Sequence, residues 1–313
     1  MKPADAFLVS CLAAAPSHTQ VSSVPVQCAL EEAKLLPTPG EPKELFGQSI
    51  AVSGDTVVVG SYASYQPFTP IVEAVYVFVR GASGQWSQQA RLVSPAGVDD
   101  ENRFGYAVAI SGDTIVVGAP EVNGFNIDAG AAYVYVREGT LWSFQQKIQP
   151  GLPQEAHFGW AVAIEGDTLA VGSPEDLFPC PCPGSVYVYD RSGGSWTFVQ
   201  RLTGSNGQPD YVFGHSVSIS GDRILVGDAG SAYVFERQGT TWLEEVQLLS
   251  PNPFVGAAFG VSVSLSGDTA VVGARLDNCA GQYAGPAYVS VDQGTTWALQ
   301  VKLVGHDTTD DDH

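Results

Sequence analysis

The stretch that decides the fold runs Phe104-Gly105-Tyr106-Ala107-Val108-Ala109-Ile110-Ser111-Gly112-Asp113-Thr114-Ile115-Val116-Val117-Gly118-Ala119-Pro120. After a variable loop it continues through Gly130-Ala131-Ala132-Tyr133-Val134-Tyr135-Val136-Arg137 to Trp142 and Gln146-Lys147-Ile148. In Gly105 to Ile110, Val and Ile alternate with small Ala, which predicts a first strand. Ser111-Gly112-Asp113-Thr114 reads as a tight hairpin turn, with Gly and Asp taking the left-handed backbone. Thr114 to Val117 predicts a second strand, closed by Gly118 and Pro120. Ala131 to Arg137, rich in Tyr and Val, predicts a third. A turn at Gly139-Thr140 leads to a fourth, Trp142 to Gln149, of mixed polarity. No segment has helical periodicity.

The unit recurs five times. Phe-Gly stands at Phe46-Gly47, Phe104-Gly105, Phe158-Gly159, Phe213-Gly214 and Phe259-Gly260, with spacings of 58, 54, 55 and 46 residues. Gly-Asp follows at Asp55, Asp113, Asp167, Asp222 and Asp268. Tyrosine follows at Tyr76, Tyr133, Tyr187, Tyr233 and Tyr288, and tryptophan at Trp86, Trp142, Trp196, Trp242 and Trp297. A period near 50 points to radial or solenoid repetition. Second strands such as Val57-Val58-Val59 and Ala270-Val271-Val272 are wholly apolar, as burial on both faces demands. The expected fold is all-β: a β-propeller of four-stranded antiparallel blades, with five full repeats. Recurring glycines suit close backbone approach near the axis.

These markers resemble the FG-GAP repeat, named for Phe-Gly and for the Gly-Ala-Pro seen at Gly118-Ala119-Pro120. Gly172-Ser173-Pro174 and Gly273-Ala274-Arg275 are looser copies. The resemblance covers residues 30 to 304. It implies a propeller like that of integrin alpha chains and of many secreted bacterial proteins, usually with seven blades. Here five are written, preceded by Glu32-Ala33-Lys34-Leu35-Leu36-Pro37, which resembles the fourth strand of a unit, so the sequence reads as one outer strand followed by five whole blades. An exposed blade face is an apolar liability, so the expectation is closure of the five blades on themselves. The alternative is a partial ring that needs a partner.

The integrin-type propeller resemblance also implies calcium loops between first and second strands. Calcium takes six to eight oxygens, and these loops are cut to Ser-Gly-Asp or Glu-Gly-Asp. No cofactor is expected, and the aspartates read as turn residues. Ser49, Ser216 and Ser262 share their position with Ala107 and Ala161, so it reads as a small packing position and not a nucleophile. His157 and His215 flank their Phe-Gly pairs on opposite sides, near one rim, without a ligand cluster around them.

The ends and the composition set the remaining expectations. Residues 1–27 read as a signal or lipoprotein segment with a linker, 28–305 as the propeller, and 306–313 as an acidic tail. Leu8-Val9-Ser10-Cys11 resembles a lipoprotein box, so membrane attachment is expected only through a lipid at Cys11. Cys28, Cys180, Cys182 and Cys279 lack zinc spacing, and their pairing is open. The net charge of −19 argues against nucleic acid and suits a secreted or cell-surface protein.

Loops between second and third strands vary most, and a rigid frame with variable loops is how binding surfaces are built. The candidate binding rim is Tyr62, Tyr65, Phe68, Asp99, Asp100, Asn123, Phe125, Asn126 and Asp128. The expected function is non-enzymatic binding or adhesion toward a protein or glycan. The alternatives are a hydrolase or lyase with a propeller pocket, and a structural segment of a surface assembly.

Overall fold

A computed structural model describes residues 33–40, 44–63, 73–95, 102–123, 126–176, 184–205, 212–251, 258–277 and 285–304. The five cysteines and the acidic tail lie outside these residues. Twenty strands form five four-stranded sheets, each a simple antiparallel meander. The first blade is β1 (Glu44–Ser53), β2 (Thr56–Ala63), β3 (Ala74–Arg80) and β4 (Trp86–Leu92). The second is β5 (Ala107–Ser111), β6 (Thr114–Ala119), β7 (Ala131–Glu138) and β8 (Leu141–Ile148). The third is β9 (Ala161–Glu165), β10 (Thr168–Ser173), β11 (Ser185–Ser192) and β12 (Ser195–Leu202). The fourth is β13 (Ser216–Ser220), β14 (Arg223–Gly227), β15 (Ser231–Gln238) and β16 (Thr241–Leu249). The fifth is β17 (Phe259–Ser266), β18 (Thr269–Ala274), β19 (Ala287–Asp292) and β20 (Trp297–Leu303). The expected strands differ from these by one or two residues at their ends.

The two repeated Gly pairs are turns of different kinds. At Ser53↔Thr56 and its equivalents the hairpin loop has two residues. Its Gly has φ between 54° and 57° and the following Asp has no positive φ, as a type II′ turn requires. Only the Gly, and not the Asp, takes the left-handed backbone. The Phe-Gly pair is the corner of the other turn. Tyr106 N–H donates to Arg103 O at 3.0 Å and Trp160 N–H to His157 O at 3.1 Å. Gly105 and Gly159 both have φ 95°, which is the third position of a type II turn. That turn sends the Phe outward, edge-on to the tyrosine of the third strand: Phe104–Tyr133 at 5.4 Å and Phe158–Tyr187 at 5.5 Å.

The core lies between blades. Each blade has a leading face toward its predecessor and a trailing face toward its successor. Val58, Val75, Val77 and Leu92 of the first blade pack on Phe104, Val108, Ile110, Ile115 and Tyr133 of the second. The same pattern joins the second to the third, the third to the fourth, and the fourth to the fifth. The Gly in the last half of each second strand is where the next blade's backbone passes. A Cβ on Gly60, Gly118 or Gly172 would stand about 2 Å from the carbonyl oxygen of Gly105, Gly159 or Gly214.

The expected closure is not met. No extensive strand contact joins the first blade to the fifth among the described residues. Ile50 on the leading face of β1 is 56% exposed, where its counterpart Val108 is 9% exposed. On the trailing face of the fifth blade Leu303 is 51% exposed, where Leu92 is 5% exposed. A Cβ on Gly273 would meet only Ser262 of its own blade. One reason is visible at Leu35. Like Phe46, it packs against the cluster of Tyr76 and Phe78, in the place that Leu92 takes beside Phe104, Tyr133 and Tyr135. Tyr76 Oη donates to Pro39 O at 3.0 Å; in the second blade it is Tyr135, at the position equivalent to Phe78, that donates to the preceding segment, at Val93 O, 2.6 Å. The leading segment thus fills the slot that Leu303 would need. The expected outer strand is not formed: residues 33–40 pair with no strand, and the likeness to a fourth strand is limited to the packing of Leu35.

Candidate functional site

The residue after each Phe-Gly pair is delivered by the type II turn to the axial end of the first strand. Going round the arc, these residues are Gln48, Tyr106, Trp160, His215 and Val261. Three are rings, and Tyr62 from the end of β2 adds a fourth. They form a continuous row. Tyr62 and Tyr106 have centroids 5.5 Å apart and tilted 44°, Tyr106 and Trp160 are 4.7 Å apart and tilted 52°, and Trp160 and His215 are 5.6 Å apart and tilted 53°. All four are half-buried. Gln48 Nε2 reaches the Tyr62 hydroxyl at 3.4 Å at one end of the row.

The residue before Phe-Gly adds charge. Arg103 and His157 hold positive φ of 53° and 52°, as Ala258 does at the same place with 50°, so this backbone belongs to the repeated turn. The Arg103 guanidinium lies 6.0 Å from the Tyr62 ring centre and 5.9 Å from that of Tyr106. Its Nε is paired with Glu121 at 2.9 Å. His157 stands edge-on to Trp160 at 6.0 Å. Its Nδ1 is 3.4 Å from the Glu175 carboxylate, close enough for ion pairing when charged but without hydrogen-bond alignment.

Two groups in the row have shifted acidities. Burial first, then the neighbouring Tyr62, pushes the Tyr106 hydroxyl up to about 12, against the pull of Arg103. It therefore stays a donor. Burial lowers the His215 pKa, and Arg275 adds to this, while the hydrogen bond to Val261 opposes it. His215 is neutral near pH 7. Its Nδ1 faces the Val261 carbonyl at 3.2 Å; a carbonyl only accepts, so the proton sits on Nδ1 and Nε2 is an acceptor.

The sequence-predicted rim is split. Tyr62 joins the ring row. Asn123 Oδ1 accepts from Asp128 N–H at 3.1 Å, and Asn126 Nδ2 donates to Leu152 O at 2.7 Å. Asp128 holds φ 52° and its carbonyl accepts from His157 N–H. These three clasp the second-blade loop to the connection into the third, so the two amide side chains are engaged within the protein. Tyr65, Phe68, Asp99, Asp100 and Phe125 lie outside the described residues. His157 and His215 do share one rim, on either side of Trp160. Tyr106, Trp160, Arg103, Glu121 and Glu175 were not singled out from sequence. The available signal was the position after Phe-Gly, where a ring occurs in three successive units.

Comparison with known proteins agrees with this architecture. The description "FG-GAP repeat" matches residues 30–78, 86–135, 142–189, 196–235 and 242–290. The chain belongs to the FG-GAP repeat family. Each matched FG-GAP unit ends within a third strand, and the last four open on the preceding blade's tryptophan, so the family unit straddles two blades. No curated protein matches the sequence. Among solved structures, the chain is similar to a Bacteroides uniformis protein assigned as a candidate 6-phosphogluconolactonase. The TM-score is 0.58 at 10% identity, over 82% of this chain and 71% of that one. At that identity the likeness concerns the fold alone.

Proposed function

We propose that this FG-GAP protein is a non-enzymatic binding module, secreted or displayed at a cell surface, whose ligand is a neutral glycan. The row Tyr62–Tyr106–Trp160–His215 carries the reading. Aromatic faces carry partial negative charge, and the C–H faces of sugar rings complement them. Arg103, Glu121, Glu175, Gln48 and His215 Nε2 border the rings and suit hydroxyl groups, which both donate and accept. A net charge of −19 repels acidic polysaccharides and favours uncharged ones. The tilted rings offer several stacking positions in series, which suits an extended chain better than a single sugar.

The test is calorimetric titration with neutral oligosaccharides of increasing length. Affinity is expected to rise with length over several sugar units and to fall at least tenfold in Trp160→Ala. Absence of binding to every neutral glycan, together with capture of a protein ligand through the β2–β3 loops, would overturn the glycan reading. A hydrolase is the second reading, and the His157–Glu175 approach is the feature that favours it. Turnover of an oligosaccharide or lactone that is lost in both His157→Gln and Glu175→Gln would establish it.

A further inference from the structure

We infer that the exposed leading face of the first blade and the exposed trailing face of the fifth are two halves of one interface, and that they join head-to-tail between two copies of this chain. The blade–blade interfaces inside the molecule carry this inference, independently of the ring row.

Those interfaces follow one pattern. A tryptophan opening the fourth strand donates to the residue three places beyond the preceding blade's tryptophan. Trp142 Nε1 reaches Gln89 at 2.8 Å, Trp196 Nε1 reaches Gln145 at 3.2 Å and Trp297 Nε1 reaches Glu245 at 3.1 Å. A serine after the Phe-Gly turn donates to the next blade's Gly carbonyl: Ser49 to Gly105 at 2.8 Å, Ser216 to Gly260 at 2.7 Å. A serine ahead of the Gly-Asp turn accepts from the next turn's Gly: Ser53 from Gly112, Ser111 from Gly166, Ser220 from Gly267. A leucine or isoleucine ending the fourth strand enters the next blade's core.

The trailing face of the fifth blade carries the whole giving set: Gln300, Ser262, Ser266 and Leu303. The leading face of the first blade carries the whole receiving set: Trp86 Nε1, Gly47 O, Gly54 N–H, and the Ile50, Val52 and Phe46 surface. The two faces therefore match as each internal pair does. Docking would place Leu303 of one copy where Leu35 of the other now lies. The leading segment is then a built-in competitor, held by Leu35, the Tyr76–Pro39 bond and the Thr38–Gln88 pair. Such a contact is heterologous, so each added copy presents a fresh face.

The experiment is sedimentation of the full chain over a wide concentration range in moderate salt, which screens the shared negative charge. The wild type is expected to show a mass rising with concentration above 32.9 kDa. Leu35→Asp, which unpins the competitor, is expected to associate at about tenfold lower concentration. Ile50→Asp and Leu303→Asp each spoil one already exposed face and are expected to be monomeric alone. Mixed, they retain one intact face of each kind and should stop at a dimer. A wild type and a Leu35→Asp protein that both stay monomeric would overturn the inference. So would Ile50→Asp or Leu303→Asp variants that still self-associate, since that contact would use another surface.

Discussion

Arg223 at the start of β14 donates to Asp292 at the end of β19 at 2.6 Å, across the interface of the fourth and fifth blades. Three features make the pair informative. Arg223 stands where the other blades carry Thr56, Thr114, Thr168 and Thr269. Asp292 stands where they carry Arg80, Arg137, Arg191 and Arg237. In two earlier interfaces the donor runs the other way, from Arg137 Nη1 to Thr56 Oγ1 at 3.1 Å and from Arg191 Nη1 to Thr114 Oγ1 at 2.8 Å. The donor and its partner have exchanged blades while the contact persists. Arg223 also reaches Asp268 at 3.0 Å and covers the Trp297 ring, as Arg137 covers Trp142.

Exchanging this pair back tests whether the interface is modular. Arg223→Thr is expected to lower the melting temperature by a few degrees, since it leaves Asp292 with only its Gly294 N–H bond and uncovers Trp297. Arg223→Thr with Asp292→Arg rebuilds the arrangement of the earlier interfaces and is expected to recover most of that loss. Chemical denaturation of both single variants and the double variant gives the coupling. Strict additivity would show that the two positions do not act together.

The Phe-Gly turn separates backbone strain from crowding. Gly47 and Gly159 hold φ of 94° and 95° in the same turn. A Cβ on Gly47 meets nothing within 4 Å, whereas on Gly159 it would stand 2.3 Å from Ala131 O. Gly47→Ala is expected to cost about 1 kcal/mol for the left-handed backbone alone. Gly159→Ala is expected to cost about 2 kcal/mol more for overpacking between blades. Urea unfolding of the two variants makes the comparison.

How much of this was legible in the sequence depends on how often a feature repeats. Phe-Gly, Gly-Asp, Tyr and Trp recur in every unit because a turn or a buried ring demands them, and they place all five blades. The Ser49 and Ser216 position reads as small packing, which is right for Ala107, but the hydroxyls also fasten the next blade's Gly carbonyl. Closure is not legible in the sequence because Leu35 reads there as spare strand, and only its packing on the Tyr76 and Phe78 cluster shows it. The ring row escaped because its members differ from blade to blade, and no marker common to all repeats can reveal a site made by their differences.

One internal donor has been left without a partner, and the repeat shows how to supply it. Trp242 Nε1 is buried and finds no acceptor among the described residues, because Val199 stands where the first two blades place Gln89 and Gln145. Val199→Gln is expected to raise stability by about 1 kcal/mol, the net worth of a hydrogen bond that satisfies a buried group. The gain should vanish when Trp242 is first changed to Phe, which a double-mutant cycle by urea denaturation would register.

His215 makes stability depend on pH in a defined direction. Its folded pKa lies below the ordinary value near 6.5 because burial disfavours the charged ring. Below that value the unfolded chain takes up the proton first, so stability falls as pH drops through the window between 6.5 and the lowered value. Above the window the contribution is complete. His215→Gln should flatten this segment of the melting temperature profile between pH 7.5 and 5, roughly the range over which histidines titrate. A slope unchanged by the substitution would assign it to other groups.

Trp160 is the centre of the ring row and gives the sharpest test of its role. It touches Tyr106, His157 and His215 but is only half-buried, so its truncation should affect binding more than folding. Trp160→Ala is expected to weaken neutral oligosaccharide binding by about 2 kcal/mol, as the loss of a central aromatic contact does, with a smaller change in unfolding free energy. Trp160→Phe keeps a flat face and should restore most of the affinity. It should also abolish the ligand-induced change in tryptophan fluorescence, because the other tryptophans in the blades lie on the fourth strands, away from the axial row. Equal loss in the Ala and Phe variants would mean that the indole N–H, and not the ring face, makes the contact. Loss of stability matching the loss of binding would reduce the row to packing.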